Sequence, residues 1–375
     1  MRLSSSISFI SSLLLTTSLH RLSTAFPTSK RATTVSGPLI GGANFPDPCI
    51  IKAGATWYSF ATRTRGSSVH VQVASSSDFQ TWSIVRDGGD GGAQRDALPD
   101  LPDWVYGPSS NVWAPDVNEL DDGSYVMYFS ATTAADTSKH CVGAATSRDI
   151  LGPYTALPTP LFCDLARGGA IDASGFKDWA EKGGAWPSPS ESTTADSGAD
   201  ATSPEYSGGG GRGGDRYVVY KIDGNSIGHG GACGNAVEPV VPTPILLQRV
   251  AADGVTPVGD AVQLLDNGGA ADDGVVEAPS LVKTAQGGFV LFFSSGCFAT
   301  SAYTVSYATA PSVAGPYTRR GALFRTDDAA GLTAPGSASV LWDTQHMLFH
   351  ANYVGGGRAL YSAMVAIDGD VVTVV

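Results

Sequence analysis

The strongest constraint on this sequence of 375 residues is an internal repeat. Five segments carry an aromatic-x-x-aromatic core in a strand-like setting. They are Trp57/Phe60 in TWYSFAT, Tyr125/Tyr128 in SYVMYFSA, Tyr217/Tyr220 in RYVVYKI, Phe289/Phe292 in FVLFFSS and His346/Phe349 in HMLFHA. From first to last they span 289 residues, an average interval near 72. Turn chemistry precedes three of them, at Asp121-Asp122-Gly123, Gly214-Asp215 and Gly287-Gly288. Three are followed by a small-residue strand, a polar corner and an aromatic: VASSSDFQTW, GAATSRDILGPY and SYATAPSVAGPY. Upstream lies a third repeat, with Asp47 in FPDPCI, Asp116 in APDV, Asp172 in AIDAS, Glu277 in VEAPSL and Ser337 in APGSASV.

Five similar multi-strand units without a helical period predict an all-β, five-bladed β-propeller with its active site in an axial funnel. The upstream motif is then the innermost strand of each blade and the aromatic segment the second. A large β-sandwich alternates in the same way but needs no fivefold repetition. In the third unit the two motifs stand 45 residues apart, which places an insertion there. From about 181 to 213 the chain is dominated by Ser, Gly, Ala, Thr and Pro, a composition too polar to order itself. Its run Gly208-Gly209-Gly210-Gly211 lacks the Lys-Ser/Thr of a phosphate loop.

The first 25 residues read as a signal peptide: Arg2, the apolar run Ile7–Leu15, and a small-residue cleavage site at Ser23-Thr24-Ala25. Residues 26–40 form an N-terminal segment in which Lys30-Arg31 matches a dibasic processing site, and 41–375 are the propeller. The expected product is secreted and monomeric. A net charge of −12 opposes nucleic acid and anionic membranes, and a neutral substrate fits better. Secretion favours disulfides among Cys49, Cys141, Cys163, Cys233 and Cys297, and their odd number leaves at least one thiol free. Several connectivities are open. We pair Cys141 with Cys163 and Cys233 with Cys297, leaving Cys49 free and buried. The chain contains no Asn-x-Ser/Thr sequon.

Carboxylates on inner strands suggest glycoside hydrolysis, which needs one protonated carboxyl and one ionised carboxylate on opposite faces of the sugar. FPDPCIIKAGATWYSFAT, VWAPDVNELDDGSYVMYFSA, GGAIDASGF, VVEAPSLV and FVLFFSS resemble the motifs of glycoside hydrolase family 43, in order, from about Gly41 onward. The resemblance implies an inverting enzyme acting on arabinofuranosyl or xylosyl linkages of plant cell-wall polysaccharide. It implies Asp47 as general base, Glu277 as general acid, and Asp172 as the third carboxylate, orienter and pKa modulator of the acid. Trp113 resembles the aromatic wall for the sugar, and Asn225 and His229 in DGNSIGHGG are candidate substrate contacts. Asp116 is read as structural. No cofactor is required. His350 resembles the fifth-blade histidine that faces an axial calcium or sodium ion in arabinanase-like members. The leading expectation is a secreted exo-acting α-L-arabinofuranosidase or β-xylosidase. An endo-1,5-α-L-arabinanase is the rival within the class, and a non-catalytic glycan-binding propeller the rival outside it.

Overall fold

The computed structural model describes residues 34–107, 111–179, 214–328, 330–341, 343–355 and 357–375. The expected signal peptide, the Lys30-Arg31 pair and the segment 181–213 lie outside the described residues. The chain enters with β1 (Val35–Ser36). Blade one follows as β2 (Ile51–Ala53), β3 (Thr56–Ala61), β4 (Gln72–Ser76) and β5 (Ser83–Ile84). Blade two is β6 (Val112–Glu119), β7 (Tyr125–Thr133), β8 (Asp136–Ser147) and β9 (Thr155–Ala156). Blade three is β10 (Ala170–Trp179), β11 (Gly214–Ile222), β12 (Ile245–Val250) and β13 (Val262–Leu265). Blade four is β14 (Val276–Lys283), β15 (Phe289–Ser295), β16 (Thr304–Ala310) and β17 (Thr318–Phe324). Blade five is β18 (Gly336–Val340), β19 (His346–Tyr353), β20 (Gly357–Asp368) and β21 (Val371–Val374), completed by β1.

The expected five-bladed propeller is thus observed, with each aromatic segment as the second strand of its blade. The ring starts earlier than the sequence reading placed it. Val35 and Ser36 pair with Ala363 and Ser362 on β20, so an N-terminal strand closes the last blade.

Second strands are apolar on both faces because each is sandwiched between neighbouring blades. On β7, Val126 and Tyr128 pack toward blade three, while Met127 and Phe129 pack toward blade one. On β15, Phe289, Leu291 and Phe293 face blade three, and Val290 and Phe292 face blade five. Five hydrophobic clusters result, one at each junction between successive blades, including blade five with blade one. Fully buried Phe60, Phe129, Phe292 and Phe349 each contribute about 1.5–3 kcal/mol from this burial. The charge-free interior between blades is why a sequence with 15% charged residues suits this fold.

Both expected disulfides are present, Cys141–Cys163 and Cys233–Cys297, and Cys49 is free and buried. Cys233–Cys297 ties the loop after β11 to the loop after β15, bridging blades three and four.

Trp179 at the end of β10 pairs with Gly214 at the start of β11. Asp172 lies near the opposite end of the same strand, seven residues away. Replacing 181–213 with a short turn should leave the melting temperature within a few degrees, and glycosidase rates within about twofold, of the parent. A large loss in either measurement would show that the segment reaches the axial funnel.

Candidate active site

Four of the five inner strands break their ladder at one place. Pairing shifts between Trp113 and Asp116, Ile171 and Ser174, Glu277 and Ser280, and Gly336 and Ser339. At each break one residue takes positive φ: Ala114 at 43°, Asp172 at 57°, Ala278 at 49° and Ser337 at 54°, with Asp47 at 52° at the corresponding place in blade one. Such bulges re-aim side chains, and each left-handed non-glycine residue costs about 1–3 kcal/mol. They also correct the sequence alignment of the units. The equivalent positions are Asp47, Ala114, Asp172, Ala278 and Ser337, so Asp116 stands two residues beyond the bulge and Glu277 one before it.

The backbone N–H freed at each bulge is taken up by the preceding blade. Ala114 N donates to Thr62 Oγ1 at 2.8 Å, and Asp172 N to Ser130 Oγ at 3.0 Å. Ser337 N donates to Ser294 Oγ at 2.8 Å, and Asp47 N to His350 Nδ1 at 3.1 Å. At the fourth blade the acceptor is different: Ala278 N donates to Asp172 Oδ2 at 2.9 Å. The second-strand residue there is Lys221, opposite Ile171.

The three expected acids meet around this ring. Thr62 Oγ1 donates to Asp47 Oδ2 at 2.7 Å, and Arg358 donates to Oδ1 at 2.9 Å. Burial works to raise the Asp47 carboxyl. Arg358 and hydrogen bonds from Thr62 and Ser337 outweigh it and hold the group below the ordinary 3.8, so Asp47 is ionised. Asp172 is driven the other way. Burial, then the charge of Glu277, pushes it well above the carboxylate range, with Lys221 opposing and Asp47 adding to the rise. Asp172 therefore keeps its proton at pH where Asp47 has lost its own.

Glu277 is gripped on both oxygens. Tyr303 donates to Oε1 at 2.9 Å and Lys221 Nζ to Oε2 at 3.0 Å. Burial and the neighbouring Glu277 raise the Tyr303 phenol, so its hydroxyl stays protonated. Gly336 leaves the space that the tyrosine fills, since a Cβ there would lie 1.8 Å from Tyr303 Cε1. Lys221 is wholly buried, and Asp223 Oδ1 lies 3.3 Å from its ammonium. Burial disfavours that charge, but Glu277, Asp223 and Asp172 more than compensate and hold it protonated.

Trp113 is half-buried and stacks on His140 with ring centroids 4.0 Å apart. His140 in turn stands 4.0 Å from Asp223. Of the two loop candidates, Asn225 is half-buried and gives its amide to Cys233 O at 3.3 Å, leaving Oδ1 buried and unpartnered. His229 is exposed on the same loop. Asp116 lines a cavity of about 40 Å³, shared with Asp47 and Asp172, that is walled by four inner strands and by the segment Asp47–Cys49 ahead of β2. There it accepts from Asn118 at 2.7 Å and Gly175 N at 2.8 Å, and burial pushes it up to about 6. Cys49 lines the same cavity, and burial, then Asp116, raises its thiol, which keeps it unreactive.

His350 is fully buried, and burial, then Arg358, pushes its imidazole down to about 3. The ring is neutral, so its 3.3 Å approach to Asp47 Oδ1 is no ion pair. Because Nδ1 accepts the Asp47 N–H, the proton sits on Nε2, which is buried without a partner. An N–H cannot ligate a cation. Among the described residues no three His, Cys, Asp or Glu side chains gather to hold a metal. The residues present do not fit an ion at His350.

The sequence reading did not include Lys221, Tyr303, Arg358, His140 or Asp223. Lys221 alone carried a local signal: a lysine at the end of the apolar run YVVYK should be buried and therefore paired.

Fold and site together define a five-bladed propeller with Asp47, Asp172 and Glu277 gathered on its inner face. The sequence profile of Glycosyl hydrolases family 43 matches residues 38–197. The extracellular endo-alpha-(1->5)-L-arabinanase of Thermotoga petrophila is 34% identical over 118 residues, 29% of this chain and 22% of that protein. Extracellular endo-alpha-(1->5)-L-arabinanase 2 of Bacillus subtilis is 30% identical over 122 residues, 31% of this chain and 24% of that protein. The matched stretch thus spans less than a quarter of either relative. A crystal structure of a thermostable family-43 glycoside hydrolase superposes with a TM-score of 0.66 at 19% identity, covering 91% of this chain and 96% of that one. The chain is thus similar to glycoside hydrolase family 43 in sequence over residues 38–197 and in fold over 91% of its length.

Proposed function

We propose that this chain is a secreted, inverting glycoside hydrolase that removes arabinofuranosyl or xylosyl residues from plant cell-wall arabinan or arabinoxylan. One observation carries the reading. Asp47 is held ionised despite its burial, while Asp172, beside Glu277, is pushed well above the carboxylate range by burial and then by the Glu277 charge, so ionised and protonated carboxyls coexist at one pH. In this scheme Asp47 takes a proton from water as the water oxygen attacks the anomeric carbon. Glu277 gives its proton to the leaving oxygen as that bond breaks. Asp172 orients the acid through the Ala278 N–H beside it. Trp113 is the wall for the sugar, and Asn225 and His229 extend the site along the disulfide-tied loop. A protein that only bound glycans would have no use for carboxyls biased in opposite directions.

The chemistry needs no metal. One chain supplies all three acids, consistent with a monomer. Secretion is supported by two disulfides and by relatives named extracellular. No helix among the described residues is long and apolar enough to cross a membrane.

We favour exo action as an α-L-arabinofuranosidase or β-xylosidase. Endo-1,5-α-L-arabinanase activity stands beside it because both sequence relatives carry that name. Product analysis on debranched arabinan, arabinoxylan and xylo-oligosaccharides separates the readings. Monosaccharide from the first minutes supports exo action, and a ladder of oligosaccharides supports endo action. Proton NMR of the first product should show inverted anomeric configuration; retention would sink the mechanism.

A further inference from the structure

Lys221 breaks the pattern of its ring. In the other four blades the corresponding residue (Thr62, Ser130, Ser294 or His350) accepts the next bulge's N–H. Lysine has no lone pair to offer when charged, so Asp172 takes over that N–H at 2.9 Å. Lys221 instead turns its ammonium onto Glu277 Oε2 at 3.0 Å.

The two edges of Glu277 then differ in kind. Oε2 faces an ammonium, so a proton on Oε2 sets positive charge beside positive charge and weakens that ion pair. Oε1 faces the neutral Tyr303 hydroxyl, at 2.9 Å, which can donate or accept. The proton is therefore favoured on Oε1, which leaves the negative charge on the edge that meets Lys221. We propose that Lys221 is a positioning residue that fixes the transferable proton of Glu277 on Oε1, the edge it shares with Tyr303. The proposal rests on the glycosidase reading and deepens it. The proton passes from Oε1 to the glycosidic oxygen as the anomeric carbon–oxygen bond breaks, while the attacking water yields its proton to Asp47. Asp223, 3.3 Å from the ammonium, holds Lys221 from the other side, with His140 behind it at 4.0 Å. Asp172 acts on the ammonium from β10, Asp47 acts on Asp172 and Tyr303, and the neutral His350 ring stacks on Tyr303 with centroids 6.0 Å apart.

The test compares Lys221→Met, Lys221→Arg and Asp223→Asn with the parent, on an arabino- or xylo-oligosaccharide and on the matching nitrophenyl glycoside. Lys221→Met should lose about 100-fold in kcat/KM on the oligosaccharide and less than about tenfold on the nitrophenyl substrate, whose leaving group needs little protonation. Its alkaline limb should move up by about one pH unit, since the carboxyl pair loses a cation. Asp223→Asn should move that limb down, because it removes an anion, and Lys221→Arg, still a donor-only cation, should restore the parent's limb. A merely structural lysine would shift no limb. If Lys221→Met does not fold, the Asp223→Asn and Lys221→Arg limbs decide. Parent-like substrate ratio and limb in Lys221→Met, or an unmoved limb in Asp223→Asn, overturns the proposal while the glycosidase reading stands. A parent that cleaves neither substrate overturns that reading, and the proposal with it.

Discussion

Asp47→Ala should reduce kcat/KM by about a thousandfold or more, and by similar factors on oligosaccharides and on nitrophenyl glycosides. Water must be activated whatever the leaving group, so a better leaving group cannot rescue the loss of the base. The fold should survive, because Arg358, the ionic partner of Asp47, is 24% exposed and can be solvated once the carboxylate is gone. In the parent, the acid limb of the pH–rate profile should fall below pH 3.8, since Asp47 is held under its ordinary value. Activity is then present above that limb and is lost as pH falls through it. Steady-state kinetics on both substrates, with a melting curve for each protein, check the result. Loss confined to oligosaccharides would make Asp47 something other than the base.

Glu277 should behave in the opposite way. Glu277→Gln should lose about 10²–10⁴-fold on oligosaccharides and far less on nitrophenyl glycosides, where the leaving group departs without a proton. Glutamine is the better probe than alanine. It keeps an oxygen for Lys221 and an amide for Tyr303, whereas alanine would strip the buried ammonium of one of its two carboxylate partners. Breaking a buried pair in that way costs about 3–5 kcal/mol and would confuse chemistry with unfolding. The parent's alkaline limb should lie well above the usual carboxylate range. Burial, then the charge of Glu277, lets Asp172 keep its proton through neutral pH, and activity disappears as pH rises and Asp172 ionises beside the acid. Equal losses on the two substrates would leave Glu277 a binding residue.

Much of this architecture was legible before any coordinates. A strand buried between two blades must be apolar on both faces, and that requirement writes itself into FVLFFSS and SYVMYFSA five times over. Asp47, Asp172 and Glu277 stand out in the sequence because each sits in a short motif, Asp172 and Glu277 on inner strands and Asp47 just ahead of one. The alignment of the units was not. Asp116 and Glu277 appeared to share a register with Asp47, yet the bulge places them two residues after and one residue before the equivalent position. A one-residue slip turns a side chain to a different face, and nothing in the local sequence marks where a ladder breaks.

The sequence by itself determined the number of blades and the order of strands within them, because both are encoded by residues close together in the chain or by repetition. Tertiary structure alone decided the protonation of the site. Arg358 reaches Asp47 across 311 residues of chain, and the Tyr303 and Lys221 partners of Glu277 come from opposite sides of it in sequence. The tautomer of His350, and with it the misfit to an axial ion, depends on one backbone N–H from the far end of the ring. Charges and hydrogen bonds act through distance and burial, and those exist only once the fifth blade has closed on the first.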